Sequence, residues 1–343
     1  MTPSQEHRPV SVIICAKDEA GNLKNHLPSI LSQNYSNYEV IVVNDRSTDH
    51  SFEILQEFQK KYPHLKIVNL TENEERAVKG KKFALTEGIA ASEYEILLLT
   101  DADCQPVSEY WIDYMQQHLT DKKQIGLGYG PLVKKESVNN FWDKLLNQLA
   151  RFETTQTAIQ YFSAALFGIP YMGVGRNIIY YKSLFQKNDG FKNHSHIASG
   201  DDDLFINQVA TRSNTSIILQ PETHMYSQAQ EDWQGFYRQK TRHISTSIYY
   251  QPKHQIYLGL FFTSFAAFHL HGVILLLLGV HLEVFLIMFG LKTLLVYILS
   301  HSIYRKLNVS DLWLYLPLLD LVYLLYLMRM LPSTIIRNTN KWK

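Results

Sequence analysis

The first hundred residues alternate short apolar runs with segments in which apolar residues recur every three or four positions. The runs are rich in Val, Ile and Leu, which is typical of buried strands, and the intervening segments have the period of helices. Strands that alternate with helices and are apolar on both faces form parallel sheets covered by helices, so this part predicts an α/β fold with a mostly parallel sheet flanked by helices. The predicted strands are Val10–Ala16, Tyr38–Asn44, Leu65–Leu70 and Tyr94–Thr100, and the predicted helices include Asn22–Gln33 and Asp49–Lys61.

Long apolar stretches replace this alternation near residue 250. The stretch from residue 256 to residue 280 contains no Asp, Glu, Lys or Arg and exceeds the roughly 20 residues that a helix needs to cross a bilayer. Two more apolar stretches follow, the first interrupted by Lys292 and the second by Pro317 and Asp320. Three such stretches in succession argue against buried helices of a soluble core. We therefore predict domains 1–250 and 251–343, the second with two or three transmembrane helices at about 256–280, 283–303 and 312–331.

The charges beside these stretches predict how the chain sits in a membrane. No basic-then-apolar leader precedes the first strand, so we expect a multi-pass protein of the inner (cytoplasmic) membrane whose first domain stays in the cytoplasm. Arg305 and Lys306 agree with this orientation under the positive-inside rule. A basic tail that begins at Arg329 disagrees if the chain crosses three times. Either the third stretch is re-entrant or interfacial, as Pro317 and Asp320 would allow, or the tail is an exception.

Composition and charge narrow the functional classes. The 33 Lys and Arg balance 32 Asp and Glu, which leaves a net charge of +1, so no strong overall field favours nucleic acid as a partner. The two cysteines, Cys15 and Cys104, are far apart and have no neighbouring Cys or His at the spacing of zinc ligands. We expect two buried thiols, and neither a disulfide framework nor a structural zinc site.

Carboxylates follow three of the predicted strands. Glu19 comes shortly after the first strand, Asp45 directly after the second, and Asp101 and Asp103 directly after the fourth. Because ligands bind beyond the carboxyl ends of parallel strands, these side chains should share one edge of the sheet. Acidic groups gathered there repel one another unless a cation offsets their charge, and such oxygen ligands suit Mg²⁺ or Mn²⁺. For the Asp-x-Asp pair alone, a solvated turn is the alternative.

An ordered series of sequence blocks carries a resemblance to a known family. The blocks are VSVIICAKDEAGNL, VIVVNDRSTD, GKKFALTEG and LLLTDADCQP, followed by GVGRNIIYYKSLF, SGDDDLFINQ and QKTRH. The first four resemble the nucleotide-diphospho-sugar-binding half of family 2 glycosyltransferases, and the last three resemble the acceptor-side elements of that family. The resemblance covers roughly residues 8 to 245. It implies the GT-A fold and a nucleotide-sugar donor, with UDP as the nucleotide.

The resemblance also implies roles on the donor side. Asp45 matches the aspartate that hydrogen-bonds the nucleotide base, with Glu19 and the backbone around Ala16 beside the base and ribose. The alternative for Asp45 is a helix N-cap. Lys81 matches a lysine that neutralises the diphosphate, although the adjacent Lys82 leaves this assignment uncertain by one position.

The metal and the catalytic base are implied in the same way. Asp103 matches a ligand of Mg²⁺ or Mn²⁺, and Asp101 matches the residue that binds the ribose or a metal-bound water. Where the family has Glu-Asp-x-Asp-Leu, this chain has three consecutive aspartates after Gly200, so Asp201 aligns with the base and Asp202 is the second candidate. The alternative is an acidic run that favours a helix N-terminus, and two of the three can be structural.

The block QKTRH resembles a Gln-x-x-Arg-Trp element. Gln239 and Arg242 would then lie on the donor side, where Arg242 holds the leaving diphosphate, while His243 replaces the tryptophan and favours single transfer over processive synthesis. The alternative is an amphipathic helix at the membrane surface, which mixes aromatic and basic residues before the first apolar stretch. Both interpretations can hold together.

These observations predict an inverting, metal-dependent glycosyltransferase of hexosyltransferase type. The predicted acceptor is a lipid or envelope glycan at the cytoplasmic face of the membrane, because the site should lie close to the membrane helices. Two alternatives remain: a processive polysaccharide synthase, separable by product length, and a catalytically silent nucleotide-sugar sensor, separable by binding without turnover.

Overall fold

A seven-stranded sheet lies at the centre of the first domain in the computed structural model, which describes residues 7–71, 80–135 and 140–330. The strands are β1 (Val10–Ala16), β2 (Tyr38–Asp45), β3 (Leu65–Leu70), β4 (Ile96–Asp101), β5 (Cys104–Pro106), β6 (Ile125–Leu127), β7 (Ile178–Tyr181), β8 (Thr215–Ile217) and β9 (Met225–Ser227). The sheet has the order β3-β2-β1-β4-β7-β6-β8, while β5 and β9 form a separate ribbon. The first four strands are parallel to one another, and β7 is antiparallel to both of its neighbours, β4 and β6.

Helices cover both faces of this sheet and continue into a second, helical region. They are α1 (Ala20–Leu31), α2 (Ser51–Lys61), α3 (Lys81–Ala91), α4 (Trp111–Gln116), α5 (Phe141–Phe167), α6 (Lys182–Lys187), α7 (Asp203–Val209), α8 (Trp233–Ile244), α9 (Pro252–Leu278), α10 (Leu282–Lys306), α11 (Ser310–Trp313) and α12 (Leu316–Met330). Short 3₁₀ turns lie at Lys192–His194, Pro221–Thr223 and Ser247–Tyr249. The predicted mostly parallel sheet flanked by helices is confirmed.

The central strand β1 shows why this sequence forms a sheet with two covered faces. All seven of its residues are buried. Val12 and Ile14 pack into a core with α1, α2 and α4, whereas Ile13 and Cys15 pack into a second core with α3 and α5. Because successive strand residues point to opposite faces, a continuous apolar run is what such a position requires.

The observed strand ends differ slightly from the predicted ones, and the differences concern the acidic residues. β2 runs one residue further and includes Asp45, and β4 ends at Asp101. Asp101 is held in the ladder by its pairing with Cys15 in β1. These two carboxylates are therefore fixed by the sheet itself rather than by flexible turns. The antiparallel direction of β7 was not predicted, because an apolar run alone does not encode strand direction.

Two helices in the described part of the chain are long and apolar enough to cross a membrane. They are Pro252–Leu278 and Leu282–Lys306, with mean hydropathies of 1.9 and 2.1. Their most apolar windows are 11% and 0% buried, which sets them apart from the core helices of a soluble protein. α9 begins beside the first domain, where His254 is buried, and α10 returns there at buried Tyr304. The pair forms a hairpin whose turn lies away from that domain.

The third apolar stretch has a different form from the other two. It contains α11 and α12, and α12 is described as far as Met330, the last described residue. Both ends of this region contact the first domain, through Asp311 with Arg151 and through Arg329, whose guanidinium lies 5.0 Å from the ring centroid of Tyr237. This arrangement supports the interfacial or re-entrant alternative for the third stretch. Residues 331–343 of the predicted domain and tail lie outside the described residues.

The charges that interrupt the apolar stretches pair with each other. Lys292 of α10 forms an ion pair with Asp320 of α12, and His269 Nε2 of α9 lies 3.6 Å from the same carboxylate. The rings of Phe268 and Phe265 surround the Lys292 ammonium at 5.3 and 5.5 Å. Charges among apolar helices are costly unless they are paired, so this cluster joins α9, α10 and α12. His269 is buried at the contact of α9 with α12.

Candidate active site

The carboxyl ends of β1, β2 and β4 lie side by side and form the floor of the site. In the ladder, Ala16 pairs with Asn44 of β2, and Cys15 pairs with Asp101 of β4. Asp45 follows Asn44, so it lies on one side of β1 and Asp101 on the other. The predicted convergence of these carboxylates at one sheet edge is therefore what the backbone produces.

Asp45 occupies the buried corner of this edge. Its side chain is fully buried, and its Oδ1 accepts hydrogen bonds from the guanidinium of Arg46. Burial raises the pKa of Asp45, although Arg46 and Lys17 act in the opposite direction. The adjacent loops are tied together, since the backbone N–H of Glu19 donates to Ser51 Oγ at 2.9 Å. Asp45 is thus a rigid acceptor and does not serve as a helix N-cap, because α2 begins at Ser51 after His50.

Lys81 and Lys82 point into different surroundings. Lys81, at the start of α3, forms an ion pair with Asp101, and its Nζ lies 3.2 Å from Asp201 Oδ2. Burial lowers the pKa of Lys81, but Asp101 and Asp201 outweigh it and raise that pKa well above the ordinary value. Lys82 is fully buried and donates to the carbonyls of His194 and Ile197 at 2.9 and 3.0 Å. Lys81 is therefore the lysine that faces the acidic edge.

Asp103 extends the acidic edge beyond the end of β4. One oxygen each of Asp101 and Asp103 and the Sγ of Cys104 lie within 4.8 Å of one another. Burial and the neighbouring Asp101 raise the pKa of Asp103, against the opposing charge of Arg176. Arg176, which is held by a 2.7 Å bond to Ser227 Oγ, is a charge partner that the sequence analysis did not identify. Its only sequence signal was its place in the block GVGRN.

The first of the three consecutive aspartates faces the cleft. Asp201 lies at a cavity lined by Cys15, Lys81 and Thr100 together with Gly175 and Asp202. Burial would raise the pKa of Asp201, but the ammonium of Lys81 outweighs it and lowers the pKa below its ordinary value. Through Lys81, which contacts both carboxylates, Asp201 lies next to Asp101 at the acidic edge.

The other two aspartates are engaged in packing. Asp202 is the N-cap of α7, where its side chain accepts from the backbone N–H groups of Asp203 and Gly175 at 2.8 and 2.7 Å. Burial, followed by the charges of Asp201 and Asp203, raises the pKa of Asp202 to about 7. Asp203 accepts from Thr246 Oγ1 and from Tyr250 OH and so ties α7 to the segment before α9. These contacts favour the structural alternative for Asp202 and Asp203.

The QKTRH block lies on α8, which packs on α12 through the rings of Phe236 and Tyr326. Lys240 is buried in an ion pair with Glu153 of α5. Arg242 is half-buried, and its Nε atom has no hydrogen-bond partner among the described residues. His243 follows Arg242 near the end of α8 and has an exposed side chain. No contact of Gln239 with the acidic edge is found in the described residues.

The donor set at Asp101 and Asp103 fits a divalent cation. Two carboxylates whose oxygens lie this close together provide the hard ligands that Mg²⁺ and Mn²⁺ prefer, and the remaining positions can be filled by phosphate oxygens or water.

Comparison with known proteins now adds to this geometry. The sequence model of "Glycosyl transferase family 2" matches residues 11–184, just over half of the 343 residues. The chain belongs to glycosyltransferase family 2. Poly-beta-1,6-N-acetyl-D-glucosamine synthase of Staphylococcus epidermidis is 35% identical over 99 residues, 29% of this chain and 23% of that protein. The probable glycosyltransferase YdaM of Bacillus subtilis is 29% identical over 237 residues, 68% of this chain and 54% of that protein.

Among solved structures, this family 2 chain is similar to the mannosyltransferase PcManGT of Pyrobaculum calidifontis, solved in complex with GDP-Man and Mn²⁺. The TM-score is 0.52 at 17% identity, and the match covers 95% of this chain and 89% of that one. At this identity the similarity concerns the fold, and it confirms the predicted GT-A architecture. The chain spans between about a quarter and about half of the length of the two curated relatives.

Proposed function

We propose that this protein transfers a sugar from a UDP-linked donor to a lipid-linked or envelope-glycan acceptor at the cytoplasmic face of a membrane. One observation carries the proposal: residues far apart in sequence meet at one sheet edge, where Lys81 contacts both Asp101 and Asp201. Its two domains would be residues 1–250, with the site, and 251–343, with the membrane helices. The family membership shown above supports the enzyme class, and the donor and acceptor are part of the proposal.

Donor binding would use the fixed groups of the floor. Asp45, buried and held by Arg46, is suited to accept a hydrogen bond from an N–H group of the base, with Ala16 and Glu19 beside it. Lys81 carries the charge nearest the acidic edge and would turn from Asp101 to a diphosphate oxygen. Asp101 and Asp103 would hold Mg²⁺ or Mn²⁺. When bound, such an ion offsets charge on the departing nucleoside diphosphate.

Asp201 would act as the general base in a single displacement. It takes the proton of the acceptor hydroxyl while that oxygen forms the bond to the anomeric carbon, and the bond from that carbon to the diphosphate oxygen breaks on the opposite face. The electrons of the broken bond leave with the diphosphate, towards which Arg242 would be directed. The configuration at the anomeric carbon is inverted, and no covalent enzyme intermediate is needed.

The position of the membrane helices supports a membrane-associated acceptor. The segment 246–250, which Asp203 binds through Thr246 and Tyr250, leads directly into α9. Asp203, two residues after the proposed base, thus contacts the segment that immediately precedes the first candidate span. An acceptor carried by a lipid would reach the cleft from that side.

A processive polysaccharide synthase is the second candidate, because a relative of this chain is a poly-N-acetylglucosamine synthase. His243 at the position of the family's tryptophan disfavours it. A gel of products made from radiolabelled donor separates the two, since single transfer gives one band and processive synthesis gives a ladder. A catalytically silent sensor would bind donor without any turnover.

The test is a panel of UDP-sugars and GDP-sugars, with nucleoside diphosphate release measured on purified protein in detergent, with and without Mn²⁺ and with a lipid extract as acceptor source. We expect turnover with at least one donor, only when the metal is present. Asp201→Asn should lower transfer by about 10²- to 10⁴-fold, the range for general base catalysis, while donor affinity measured by calorimetry stays nearly unchanged. Loss of donor binding in this variant would contradict the assigned role.

A further inference from the structure

Helix α5 carries apolar side chains at both of its ends that no described part of the chain covers. Phe141 and Trp142 at its start are 68% and 64% exposed, and Leu166 and Phe167 at its end are 70% and 81% exposed. The helix has 27 residues and is therefore about 40 Å long, so the two pairs are far apart. Exposing two pairs of large apolar side chains to water is unfavourable, and such exposed patches are typical of surfaces that bind a partner or a membrane.

The four exposed residues lie on the same side of α5 that contacts the membrane helices. The ring of Phe152 packs on Tyr323 of α12 with 5.6 Å between centroids, and Gln156 bonds to Tyr304 of α10. With 100° between successive residues, the contacting residues and the two exposed pairs fall within an arc of about 120°. The middle of one helical face is thus covered by α10 and α12, and its two ends continue the same surface.

α5 contacts α10 at the position where the exposed apolar surface of α10 ends. Leu299 and Ile303 of α10 are still exposed, at 69% and 39%, and Arg305 and Lys306 follow directly. Tyr304, which Gln156 contacts, lies between them. If α10 spans a bilayer, α5 is at the height of the headgroups, where aromatic and basic side chains are enriched.

Basic residues accompany both apolar pairs. Lys144 is exposed within one turn of Trp142. At the other end, Arg212 is exposed and lies so close to Gly168 that a Cβ there would be 2.8 Å from its Cδ. Long basic side chains next to apolar ones suit a surface with apolar tails and anionic headgroups.

We propose that α5 lies along the membrane surface and that Phe141/Trp142 and Leu166/Phe167 insert into the headgroup region of the bilayer around α9 and α10. The inference rests on the membrane setting of the proposed function. A second copy of the chain is the other possible occupant. Each end offers only two side chains, which is far below the roughly 800 Å² that each partner buries in a stable interface, so the bilayer fits better.

Spin labels on single introduced cysteines test the proposal in the full chain, reconstituted in vesicles of phosphatidylcholine and phosphatidylglycerol. The native thiols, Cys15 and Cys104, are buried, and the unsubstituted protein gives their background. The test sites are Trp142→Cys and Phe167→Cys. The matched controls are Leu295→Cys on the exposed side of α10 and Lys60→Cys on the surface of α2. Circular dichroism and thermal unfolding establish that each labelled variant is folded.

The measurement is the ratio of collision rates with oxygen, which partitions into the bilayer, and with a nickel chelate, which stays in water. We expect a high ratio at Leu295, a low one at Lys60 and intermediate ratios at the two test sites, as for side chains that reach about 5 to 10 Å into the interface. Test sites equal to Lys60, with Leu295 still high, would overturn this proposal alone. If the ratio at Leu295 is low as well, the proposal for α5 and the membrane insertion of α10 are both overturned. Exclusion of both reagents with spin–spin broadening would assign the surface to a second copy and overturn it too.

Discussion

At the residue scale, the contact of Lys81 with two carboxylates decides the charge state of the site. Burial would raise the pKa of Asp201, and the adjacent ammonium reverses that effect. A base must be deprotonated when the acceptor arrives, and this pairing keeps it so. If Lys81 turns towards the donor diphosphate, Asp201 loses its partner and becomes a stronger base at the moment at which it is needed.

The pH dependence of catalysis should report this pairing. The pH profile of kcat/KM follows ionisations of the free enzyme, so its acid limb should lie below the ordinary carboxylate pKa. In Lys81→Met, burial acts on Asp201 without its main opposing charge, and the acid limb should move to higher pH by about 1 to 3 units. Lys60→Met on the exposed surface of α2 is the control and should leave the limb in place. An unmoved limb in Lys81→Met would remove Asp201 from the role of base.

Replacing Asp202, the neighbour of Asp201, tests whether its role is structural rather than catalytic. Its two oxygens accept from two backbone N–H groups, at Gly175 and Asp203, and an amide can satisfy only one of them. Asp202→Asn should therefore lose about 1 kcal/mol of stability, measured by thermal unfolding in detergent, and keep most of its turnover. Asp201→Asn should show the reverse, with little change in stability and a large loss of turnover. A dead but fully stable Asp202→Asn would make Asp202 the base instead.

At the scale of elements, Lys82 joins the start of α3 to the loop that carries Asp201. Its ammonium donates to the carbonyls of His194 and Ile197, and Gly80 lies so close to this loop that a Cβ would meet the Ala198 oxygen at 2.3 Å. Gly80 has a φ of 69°, which other residues adopt only under strain. The hydrogen bonds of Lys82 and the close approach of Gly80 hold the loop against α3, and this places Asp201 opposite Lys81.

Replacing Lys82 by methionine should therefore loosen this loop. Leaving two buried carbonyls without a donor costs about 1 to 3 kcal/mol each, so the melting temperature and kcat should fall while the KM for donor changes little. Lys81→Met is the matched comparison and should instead raise the donor KM. An exchange of these two outcomes would mean that Lys82 contacts the diphosphate.

The pH dependence of the free energy of unfolding should also reflect the ionisation of Lys82. Burial lowers the pKa of Lys82 to about 8, whereas its ordinary value is 10.5. Between these values the unfolded chain binds more protons than the folded one, so the free energy of unfolding should rise with pH from about 8 to 10.5. Chemical denaturation across this window measures the slope. The part of the slope due to Lys82 should be absent in Lys82→Met.

A bidentate ion pair joins α5 to α11 at the junction with the C-terminal helices. Both guanidinium nitrogens of Arg151 lie 2.7 Å from oxygens of Asp311, and Arg151 is 4% exposed. Arg151→Ala should destabilise the docking of α11 and α12 by about 2 to 3 kcal/mol, towards the lower end for buried pairs because Asp311 is partly exposed. Lys134→Ala removes a 3.8 Å contact to the same carboxylate from an exposed position and should cost less than 1 kcal/mol. Equal melting temperatures for the two variants would show that the junction does not depend on this pair.

At the scale of the whole molecule, we expect an even number of crossings, made by the two candidate spans α9 and α10. α9 leaves the first domain and α10 returns to it, while α12 stays against α5 and ends beside α8. Arg329 then lies on the same side as the first domain. This arrangement removes the conflict between the basic residues and the positive-inside rule that three crossings would create.

Thiol labelling in sealed vesicles of defined orientation should reveal this topology. Cysteines placed at Lys60 and Arg329 should react with a membrane-impermeant maleimide from the same side, and a cysteine at His281, in the turn between α9 and α10, should react from the other. Detergent-opened vesicles provide the full-labelling control. Reaction at Arg329 from the side of His281 would show that α12 crosses the membrane and that the third predicted span is real.

Much of the fold could be predicted because it depends on residue type and on neighbours in sequence. The apolar run of β1 requires burial on both faces wherever the strand lies, and residues 256–280 cannot avoid an apolar environment whatever surrounds them. The carboxyl ends of parallel strands meet by geometry, so Asp45 and Asp101 could be placed at one edge without coordinates. The antiparallel direction of β7 could not be predicted in this way, because an apolar run does not encode the direction of its neighbours.

The sequence by itself determined the succession of strands and helices, the two long apolar helices and the set of candidate groups, because periodicity and residue type depend only on near neighbours. Tertiary structure alone decided which of two adjacent lysines faces the acidic edge, which of three aspartates is available as a base, and that Arg176 opposes the charge of Asp103. A helix turns its side chains by 100° per residue, so neighbours in sequence reach different surroundings. Those surroundings are set by packing between segments about a hundred residues apart.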